Sequence, residues 1–304
     1  MSLLTVGTVA FDALETPFAK IDRVIGGSAM FASLSASFFY KDVQLVSVVG
    51  DDWPKDMIAN FGKRGIDMGG LEIREGEKSF FWSGRYHDNM ISRDTLDTQL
   101  NVLADFDPKV PEAFKQPSYL MLANLDPDLQ LKVIDQLTAR PKFIMADTMN
   151  FWMDIKMDAV KEVLKKVDLI TVNDEEARQL TGEYSIVKAA HKMLEMGPKT
   201  VIIKKGEHGA LLFHTEGTFY APALPLAQVF DPTGAGDTFA GGLIGHLAKT
   251  QDLSYANIKR AVIYGSAMAS FCVEKFGPMQ LLELTKEDID ARLAQFVGLT
   301  DWNL

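Results

Sequence analysis

The 304-residue chain contains a single cysteine, Cys272, so it cannot form an internal disulfide. Cys272 lies in an apolar run, which indicates a small buried side chain rather than a nucleophile. No stretch approaches the about 20 apolar residues that a membrane span needs, and the N-terminus lacks the basic and apolar regions of a signal peptide. These absences predict a cytoplasmic protein without a membrane partner.

Positive charge is also scarce. Lys and Arg number 31 against 41 Asp and Glu, which gives a formal net charge of −10. Nucleic acids and anionic membranes are bound through clustered positive charge, so neither is predicted as a partner. A protein of this charge that handles phosphate must create its positive potential locally, from backbone amides, a few lysines and a metal ion.

Several catalytic motifs are missing from the sequence. It contains no Gly-x-x-x-x-Gly-Lys-Ser/Thr loop and no Gly-x-Ser-x-Gly elbow. The first predicted strand is followed by Gly-Thr-Val-Ala-Phe-Asp rather than Gly-x-Gly-x-x-Gly, which counts against a dinucleotide dehydrogenase. The five histidines lack the spacing of metal ligands, which counts against a zinc site.

Short apolar segments alternate with longer amphipathic segments along most of the chain. The predicted buried strands are Leu3–Val9, Val43–Val49, Tyr119–Ala123, Phe143–Ala146, Leu169–Val172 and Val201–Ile203. The predicted helices are Ala29–Phe39, Lys55–Arg64, Leu129–Thr138, Asp158–Lys166, Glu175–Leu180 and Ile186–Met196, followed by a mostly helical part from Ala235. This order predicts one α/β domain over residues 1–304, with a doubly wound, mostly parallel sheet and helices on both faces.

Two segments interrupt this alternation, at about residues 11–25 and 70–100. The first contains Pro17, and the second contains an alternating aromatic run at residues 80–86. Structureless loops of such length are uncommon in compact domains, so both segments are predicted to belong to a small β lid over one end of the sheet. Two long surface loops are the alternative. A lid with apolar residues would also allow two copies of the chain to pair through it.

The most informative segment is residues 231–242, Asp-Pro-Thr-Gly-Ala-Gly-Asp-Thr-Phe-Ala-Gly-Gly. Gly234, Ala235 and Gly236 have small side chains or none, so their backbone N–H groups can approach a ligand closely. A helix is predicted to begin here, and the first N–H groups of a helix attract anions. Asp237 lies in this first turn, where a carboxylate can accept the proton of an attacking hydroxyl beside a bound phosphate. A carboxylate that only stabilises the helix is the alternative, but it needs no preceding Gly-Ala-Gly.

This segment resembles the C-terminal signature of the ribokinase-like (PfkB-type) carbohydrate and nucleoside kinases. Other motifs in the expected order extend the resemblance over nearly the whole chain. The resemblance implies an α/β domain with a β lid, the cofactors ATP and Mg²⁺, and in-line transfer to a hydroxymethyl group. It implies that Asp237 is the base, that the three preceding amides form an anion hole, and that Thr233 binds the nucleotide. It also allows a K⁺ ion near Asp231.

The segment Asn173-Asp174-Glu175-Glu176 follows a predicted strand. From the residues alone it is equally a capping box, with Asn173 as the cap and Glu176 as its partner, and a site for a hard cation that binds through water. The segment matches the Asn-x-x-Glu pattern of the family. The resemblance implies that Asn173 and Glu176 organise Mg²⁺ and the phosphates.

The segment Lys204-Lys205-Gly206 stands where the family commonly has Thr-Leu-Gly. Lys204 and Gly206 are therefore predicted to meet the nucleotide, where a lysine would supply charge that this acidic protein lacks elsewhere. Solvated lysines at the end of a strand are the alternative. The sequence does not decide whether Lys204 or Lys205 meets phosphate.

Asp12 follows the first predicted strand and matches an aspartate that grips two sugar hydroxyls in the family. A carboxylate suits this task because hydrogen bonds to a charged acceptor are strong; a hinge carboxylate of the lid is the alternative. The other predicted acceptor-site residues are Gly26, Gly27, Ser28, Phe31, Asn124 and Asp126. Arg85 and Arg93 of the predicted lid would meet an anionic acceptor or remain solvated.

The acceptor region departs from the family at two positions. Phe31 stands where the family often has Asn, and Ala10 stands where it often has a polar residue. Two groups that would bind a sugar hydroxyl are therefore missing. The aromatic residues in this region are Phe11, Phe31, Trp82 and Tyr86. They keep a nucleoside acceptor in consideration.

The sequence thus predicts an ATP-dependent kinase that phosphorylates a hydroxymethyl group on a small sugar or sugar-like molecule. A nucleoside kinase of the same fold is the first alternative. A ligand-binding regulator on the same scaffold and a nucleotide hydrolase are further alternatives. In the first two cases the partners are ATP and a small-molecule acceptor.

Overall fold

A computed structural model of the protein describes residues 1–300. Its strands are β1 (Leu3–Val6), β2 (Ala10–Glu15), β3 (Lys20–Gly26), β4 (Val43–Gly50), β5 (Ile66–Arg74), β6 (Phe80–Tyr86), β7 (Arg93–Gln99), β8 (Tyr119–Leu122), β9 (Phe143–Asp147), β10 (Leu169–Asn173), β11 (Thr200–Lys204), β12 (Ala210–His214) and β13 (Gly217–Ala221). Its helices are α1 (Ser28–Ser37), α2 (Lys55–Lys63), α3 (Pro127–Gln136), α4 (Asn150–Lys166), α5 (Asp174–Thr181), α6 (Ile186–Glu195), α7 (Ala235–Thr250), α8 (Tyr255–Cys272), α9 (Met279–Glu283) and α10 (Lys286–Thr300). None of these helices has both the length and the apolar character required to cross a membrane.

Within residues 1–300 the strands form two sheets. The larger sheet has nine strands in the order β13-β12-β11-β10-β9-β8-β1-β4-β5. Neighbouring strands from β5 to β11 are parallel, whereas β12 and β13 are added antiparallel. Parallel neighbours require crossover connections, which helices provide here. The predicted doubly wound, mostly parallel α/β fold is confirmed.

Side chains of the larger sheet alternate between two hydrophobic cores, one on each face. In β8, Tyr119 and Met121 belong to the first core, and Leu120 and Leu122 belong to the second. Helices α1, α7 and α8 pack on the first face, and α3, α4, α5 and α6 pack on the second. Each fully buried side chain of this size contributes about 1.5–3 kcal/mol, which explains why these strands are apolar at nearly every position.

The second sheet is the lid, with four strands in the order β3-β2-β6-β7. Its strands come from the two segments that interrupt the alternation, but the predicted boundary at residue 70 is too early. Residues 70–74 still belong to β5, which pairs with β4 at the edge of the larger sheet. Strand β5 escapes sequence analysis because most of its side chains are partly or fully exposed.

Helix α4 begins well before its predicted start at Asp158. Its first part exposes Phe151 and Ile155 to solvent, so the apolar periodicity that indicates a helix is absent there. The backbone at Lys156 has non-helical torsions, φ −141° and ψ 38°, which places a kink inside the helix. The helix therefore joins a short irregular part to the amphipathic part that the sequence predicts.

Helices α1 and α7 approach each other closely through small residues. A Cβ atom at Gly241 would overlap with the carbonyl oxygen of Ala32, and a Cβ atom at Gly245 would lie 2.8 Å from the Cα of Ala36. The hydroxyl of Ser35 donates to the carbonyl of Thr238 at 2.7 Å. This packing holds the first turn of α7 in place on the sheet.

We expect Gly241→Ala to lower the free energy of unfolding by about 1–3 kcal/mol, because the added methyl group forces the two helices apart. Alanine has the higher helix propensity, by about 1 kcal/mol, so propensity alone predicts the opposite sign. Gly62→Ala is the matched control, since a Cβ atom there meets no atom within 4 Å. The measurement is urea unfolding followed by circular dichroism. Equal stability changes at the two positions would contradict the close approach of α1 and α7.

Candidate active site

Three neighbouring parallel strands end in polar residues at one edge of the larger sheet. Asp147 ends β9, Asn173 ends β10 and Lys204 ends β11. The strand register places Asn173 beside Lys204, and Asp147 beside Thr171 of β10. In open α/β sheets, ligands bind at the carboxyl ends of the strands. This edge is therefore the candidate site.

The turn before α7 is built from a glycine and a buried ring. Gly234 caps the helix with φ 75° and ψ −1°, the left-handed region that favours glycine. The ring of Phe31 lies directly beneath it, where a Cβ atom at Gly234 would overlap with the ring. Phe31 is 1% exposed, and its contact with the acceptor stays a prediction. Its physical role is to support the turn that presents the amides.

The segment that precedes the turn is anchored by Asp231, which is fully buried. Its Oδ1 accepts from the amide of Thr233 at 2.8 Å, and its Oδ2 accepts from the amide of Gly277 at 2.9 Å. Burial raises the pKa of Asp231 above its usual value. Both oxygens thus hold backbone together, which ties the turn to the loop that follows α8.

The predicted anion hole is partly open. The amides of Gly234 and Gly236 donate no hydrogen bond to any residue in the described chain. The amide of Ala235, by contrast, donates to the carbonyl oxygen of Pro232 at 3.2 Å. The amide of Ala235 thus closes the turn, and its part in the anion hole stays a prediction.

Asp237 is half-buried in the first turn of α7. Burial and, to a lesser extent, the charge of Asp147 raise the pKa of its carboxyl group to about 7, against the charges of Lys204 and Arg93. A carboxyl group with this pKa can exchange a proton near neutral pH, which is the property of a general base. The electrostatics of the site thus suit the role that the sequence predicts for Asp237.

Lys204 places a buried cation next to the first turn of α7. Its Nζ lies 2.9 Å from Oδ2 of Asp147, and the two side chains are 17% and 5% exposed. A Cβ atom at Gly236 would lie 3.0 Å from the same Nζ, so glycine there makes room for the ammonium group. Burial alone would lower the pKa of Lys204, but Asp147, Glu176 and Asp237 raise it above its usual value. The ammonium group therefore stays charged.

Asn173 and Glu176 form the complete capping box. The amide of Asn173 donates to Oε2 of Glu176 at 2.7 Å, and the amide of Glu176 donates to Oδ1 of Asn173 at 2.8 Å. Burial raises the pKa of Glu176 to about 7, with Lys204 and Arg93 acting against it. The capping interpretation is thus correct, and it leaves Glu176 as a buried carboxylate beside Lys204.

The oxygen donors of this region suit a hard cation that is bound through water. Glu176 uses one carboxylate oxygen for the amide of Asn173, and Asp147 lies on the other side of Lys204. No group of three or more His, Cys, Asp or Glu side chains in residues 1–300 forms a direct metal cage. A Mg²⁺ ion here would have to arrive with its own waters or with the phosphates.

Asp12 lies in strand β2 of the lid and is buried. Its carboxylate is 6% exposed and accepts no hydrogen bond from the described residues. Gly26 faces it across the strand pair, and a Cβ atom there would overlap with the carboxylate. Burial raises the pKa of Asp12 to about 8, and the charges of Asp231 and Asp237 contribute. A buried carboxylate without a partner is ready to accept hydroxyl groups.

The other residues that were predicted to bind the acceptor form hydrogen bonds or close contacts within the protein. Ser28 donates through its hydroxyl to the carbonyl oxygen of Asn124 at 2.9 Å, which ties α1 to the loop after β8. Gly27 has φ 104°, and a Cβ atom there would lie 2.5 Å from the carbonyl oxygen of Thr8. Oδ1 of Asn124 accepts from Nε1 of Trp152 at 2.9 Å. These contacts are internal to the protein, and direct acceptor contacts from these residues stay predictions.

Asp126 has partners within the protein, and its contact with the acceptor stays a prediction. Its Oδ1 accepts from the amide of Asp128 at 3.0 Å as the cap of α3, and Nζ of Lys156 lies 2.7 Å from its Oδ2. This carboxylate is committed to the helix cap and the ion pair. Gly206 has φ 53° and open space where a Cβ atom would lie, and its contact with a nucleotide stays a prediction.

Asp147 is the residue that sequence analysis missed. It ends a buried strand, as Asn173 does, and a polar residue at the carboxyl end of an apolar parallel strand was the available signal.

The lid also adds a contact that the sequence did not reveal. The hydroxyl of Tyr86 lies 3.0 Å from Oγ1 of Thr233, which joins the lid to the turn before α7.

The fold and the site define a small-molecule phosphotransferase. A buried lysine, free amides at a helix start and a carboxylate with a raised pKa meet at the carboxyl edge of an α/β sheet. The family model described as "pfkB family carbohydrate kinase" matches residues 10–284. The chain therefore belongs to the pfkB family of carbohydrate kinases, and it is a kinase that acts on the hydroxyl of a sugar or nucleoside.

Individual proteins are also similar to this chain in sequence or in fold. A cytidine kinase from Thermococcus kodakarensis is 26% identical, over 83% of this chain and 91% of its own length. The structure of Burkholderia thailandensis nucleoside kinase in complex with inosine superposes with a TM-score of 0.80 at 20% identity, covering 98% of this chain and 99% of the other. A structure described as a ribokinase II from E. coli, in complex with ATP and Mg²⁺, gives a TM-score of 0.80 at 21% identity, covering 97% and 99%. The two structures support the fold.

We expect Lys204→Met to lower the free energy of unfolding by about 3–5 kcal/mol, because it leaves the carboxylate of Asp147 buried without its partner. Lys205→Met is the matched control, since Lys205 forms no ion pair with a described residue, and its effect should stay within about 0.5 kcal/mol. The double variant Lys204→Met with Asp147→Asn should recover part of the loss. Urea unfolding measures all three. Equal effects of the two single substitutions would contradict a buried Lys204–Asp147 pair.

Proposed function

We propose that this protein transfers the γ-phosphoryl group of ATP to a hydroxymethyl group of a riboside, with Asp237 as the general base. The observation that carries the proposal is the position of Asp237. On one side lie the ammonium group of Lys204 and the free amide of Gly236. The charge of Asp237 also acts on Asp12, a buried carboxyl group that accepts no hydrogen bond from the described residues.

The proposed reaction proceeds in one displacement. The hydroxyl oxygen of the acceptor forms a bond to the γ-phosphorus as the bond from that phosphorus to the bridging oxygen of ADP breaks. The hydroxyl proton passes to the carboxylate of Asp237. A positioned base of this kind typically contributes about 10²–10⁴ in rate. The raised pKa of Asp237 supports this step because it increases the affinity of the carboxylate for a proton.

Lys204 and the amides of Gly234 and Gly236 are proposed to hold the phosphoryl oxygens. Donors that are already in place stabilise charge in the transition state without reorganisation. Mg²⁺, held through water by Glu176 with Asn173 and Asp147 nearby, would neutralise part of the charge of the triphosphate when it is bound. Gly206 and Thr233 are proposed to meet the nucleotide. A K⁺ ion near Asp231 stays a prediction, as does pairing of two copies through the lid.

Nucleosides are the acceptor class that we favour over free sugars. The similarity to the cytidine kinase covers 83% of this chain and 91% of that relative. The similarity to the ribokinase of Staphylococcus aureus covers 41% of this chain. The lid contributes Trp82 and Tyr86 to the site side, and Trp152 and Met149 surround Asn124. Aromatic and sulfur-containing side chains suit a planar base. Asp12 is proposed to accept the two ribose hydroxyls in either case.

We expect Asp237→Asn to lower kcat by about 10²-fold or more, because the amide cannot accept the hydroxyl proton. Binding of a non-hydrolysable ATP analogue should persist in this variant, which shows that the fold and the phosphate site are intact. The measurement is steady-state ADP release with the best acceptor. Turnover within threefold of the wild type would rule out Asp237 as the base.

The same residue sets the expected pH dependence. Asp237 must be deprotonated to act, and its pKa is raised to about 7. The value of kcat/KM should therefore rise as the pH increases through about 7, instead of reaching its plateau near pH 5 as it would with an unperturbed aspartate. A profile that is flat between pH 5.5 and 8 would contradict this assignment.

A panel of acceptors tests the proposed substrate class. Cytidine, adenosine and inosine should each be compared with free ribose and fructose at equal concentration, with ADP release as the measurement. We expect the highest kcat/KM for a nucleoside, because a base adds apolar contact area that a free sugar lacks. A free sugar that exceeds every nucleoside would favour the sugar-kinase alternative. ADP release without any acceptor would favour a hydrolase.

A further inference from the structure

The two faces of the lid sheet carry different side chains. Residues directly opposite each other in paired strands lie on the same face. Tyr86 of β6 is opposite Arg93 of β7, and Arg85 is opposite Asp94. Tyr86 contacts Thr233 of the active site, so Arg93 lies on the face that covers the site. Arg85 lies on the outer face.

The outer arginine is already paired. Arg85 donates through Nε to Oε1 of Glu15 at 2.8 Å and through NH2 to Oε2 at 3.3 Å. Asp94, the neighbour of Arg93 in the chain, also lies on the outer face and contacts Nε2 of His87 at 2.9 Å. Arg93 forms no ion pair with a carboxylate in residues 1–300. Its charge therefore remains free to meet a ligand.

An indole ring holds Arg93 on the site face. The guanidinium carbon of Arg93 lies 5.9 Å from the ring centroid of Trp82, within the range of a cation–π contact. The Trp82 ring folds over Gly84, where a Cβ atom would overlap with the ring. Nε1 of Trp82 donates to Oγ1 of Thr95 at 3.3 Å. The lid thus orients a cation toward the site through Trp82.

The charge balance of the site requires such a cation. The carboxylates that meet here are Asp12, Asp147, Glu176, Asp231 and Asp237. Lys204 and Arg93 are the cationic side chains whose charges lower the pKa of both Asp237 and Glu176. Lys204 is already paired with Asp147. A triphosphate therefore needs positive charge beyond what the sheet edge provides.

We propose that Arg93 is a catalytic residue of the lid, which contacts the transferring phosphoryl group when the lid covers the site. The inference rests on the proposed kinase function. As the acceptor oxygen bonds to the γ-phosphorus and the bond to ADP breaks, the guanidinium group of Arg93 donates to the phosphoryl oxygens. It neutralises the charge that Lys204 and the helix amides leave uncompensated.

The position of Arg93 favours a contact with the phosphoryl group over a contact with the ring of the acceptor. Its charge acts on Asp237 and Glu176, which lie on the phosphate side. Asp12, at the acceptor end, is governed by burial and by Asp231 and Asp237. A planar guanidinium group also matches phosphate geometry better than an ammonium group does.

The test compares Arg93→Gln and Arg93→Lys with Arg85→Gln, the matched control on the outer face. We expect Arg93→Gln to lower kcat about 10²-fold, with KM for the acceptor within about threefold of the wild type. Arg93→Lys should recover part of the loss because it keeps the charge but loses the fork. Arg85→Gln should stay within about threefold of the wild type.

The pH profile separates electrostatic action from a structural role. The charged groups around Asp237 are Asp147 of β9, Lys204 of β11 and Arg93 of β7. Removal of the Arg93 charge should move the acidic limb of kcat/KM to higher pH, and Arg85→Gln should leave it unchanged. The inference is overturned if Arg93→Gln stays within threefold of Arg85→Gln, or if Arg93→Lys is no better than Arg93→Gln and the limb does not move.

Two further measurements, the stability of each variant and the activity of the wild type, distinguish failure of the Arg93 role from failure of the kinase function. The melting temperature of each variant should match that of the wild type, since Arg93 lies on an exposed edge strand. If Arg93→Gln unfolds, Arg93→Lys decides the question by the same comparison with Arg85→Gln. A wild-type protein that phosphorylates no acceptor overturns the kinase function itself, whereas an active wild type with a fully active Arg93→Gln overturns only the role of Arg93.

Discussion

The structure depends on one electrostatic constraint, which is the concentration of carboxylates at the carboxyl edge of the sheet. Asp147, Glu176 and Asp237 would repel one another and any phosphate if the ammonium group of Lys204 did not lie among them. Burial weakens the screening by water, so both the repulsion and the compensation are stronger than on the surface. Burial and this repulsion raise the pKa values of Glu176 and Asp237, and the ammonium group of Lys204 stays in place beside them.

Close backbone packing positions the other part of the site, the first turn of α7. Helix α7 can present its first amides only because α1 supports it closely, through Gly241 opposite Ala32 and through the ring of Phe31 beneath Gly234. Asp231 joins the same turn to the loop after α8. The glycines of the motif thus serve two purposes: Gly236 makes room for Lys204, and Gly241 makes room for a helix.

The lid completes a site that the larger sheet leaves open and short of positive charge. Its inner face brings Tyr86 against Thr233 and also carries Arg93, whose charge lowers the pKa of Asp237. On its outer face, Arg85 and Glu15 form an ion pair with each other within the lid. One sheet therefore separates a face for chemistry from a face for solvent, with strand alternation as the physical cause.

The sequence by itself determined the α/β class, the parallel strands and the site role proposed for Asp237, because apolar runs and a glycine-rich helix start have local physical causes. Tertiary structure decided what depends on distant partners. It placed Phe31 under a turn and Asp126 in a helix cap, although both follow patterns that suggested ligand contacts. It also paired Lys204 with Asp147, whereas Lys205 forms no ion pair with a described residue, and it placed Arg93 and Arg85 on opposite faces of the lid. These outcomes depend on strand register and on charges far apart in the chain, which no local pattern encodes.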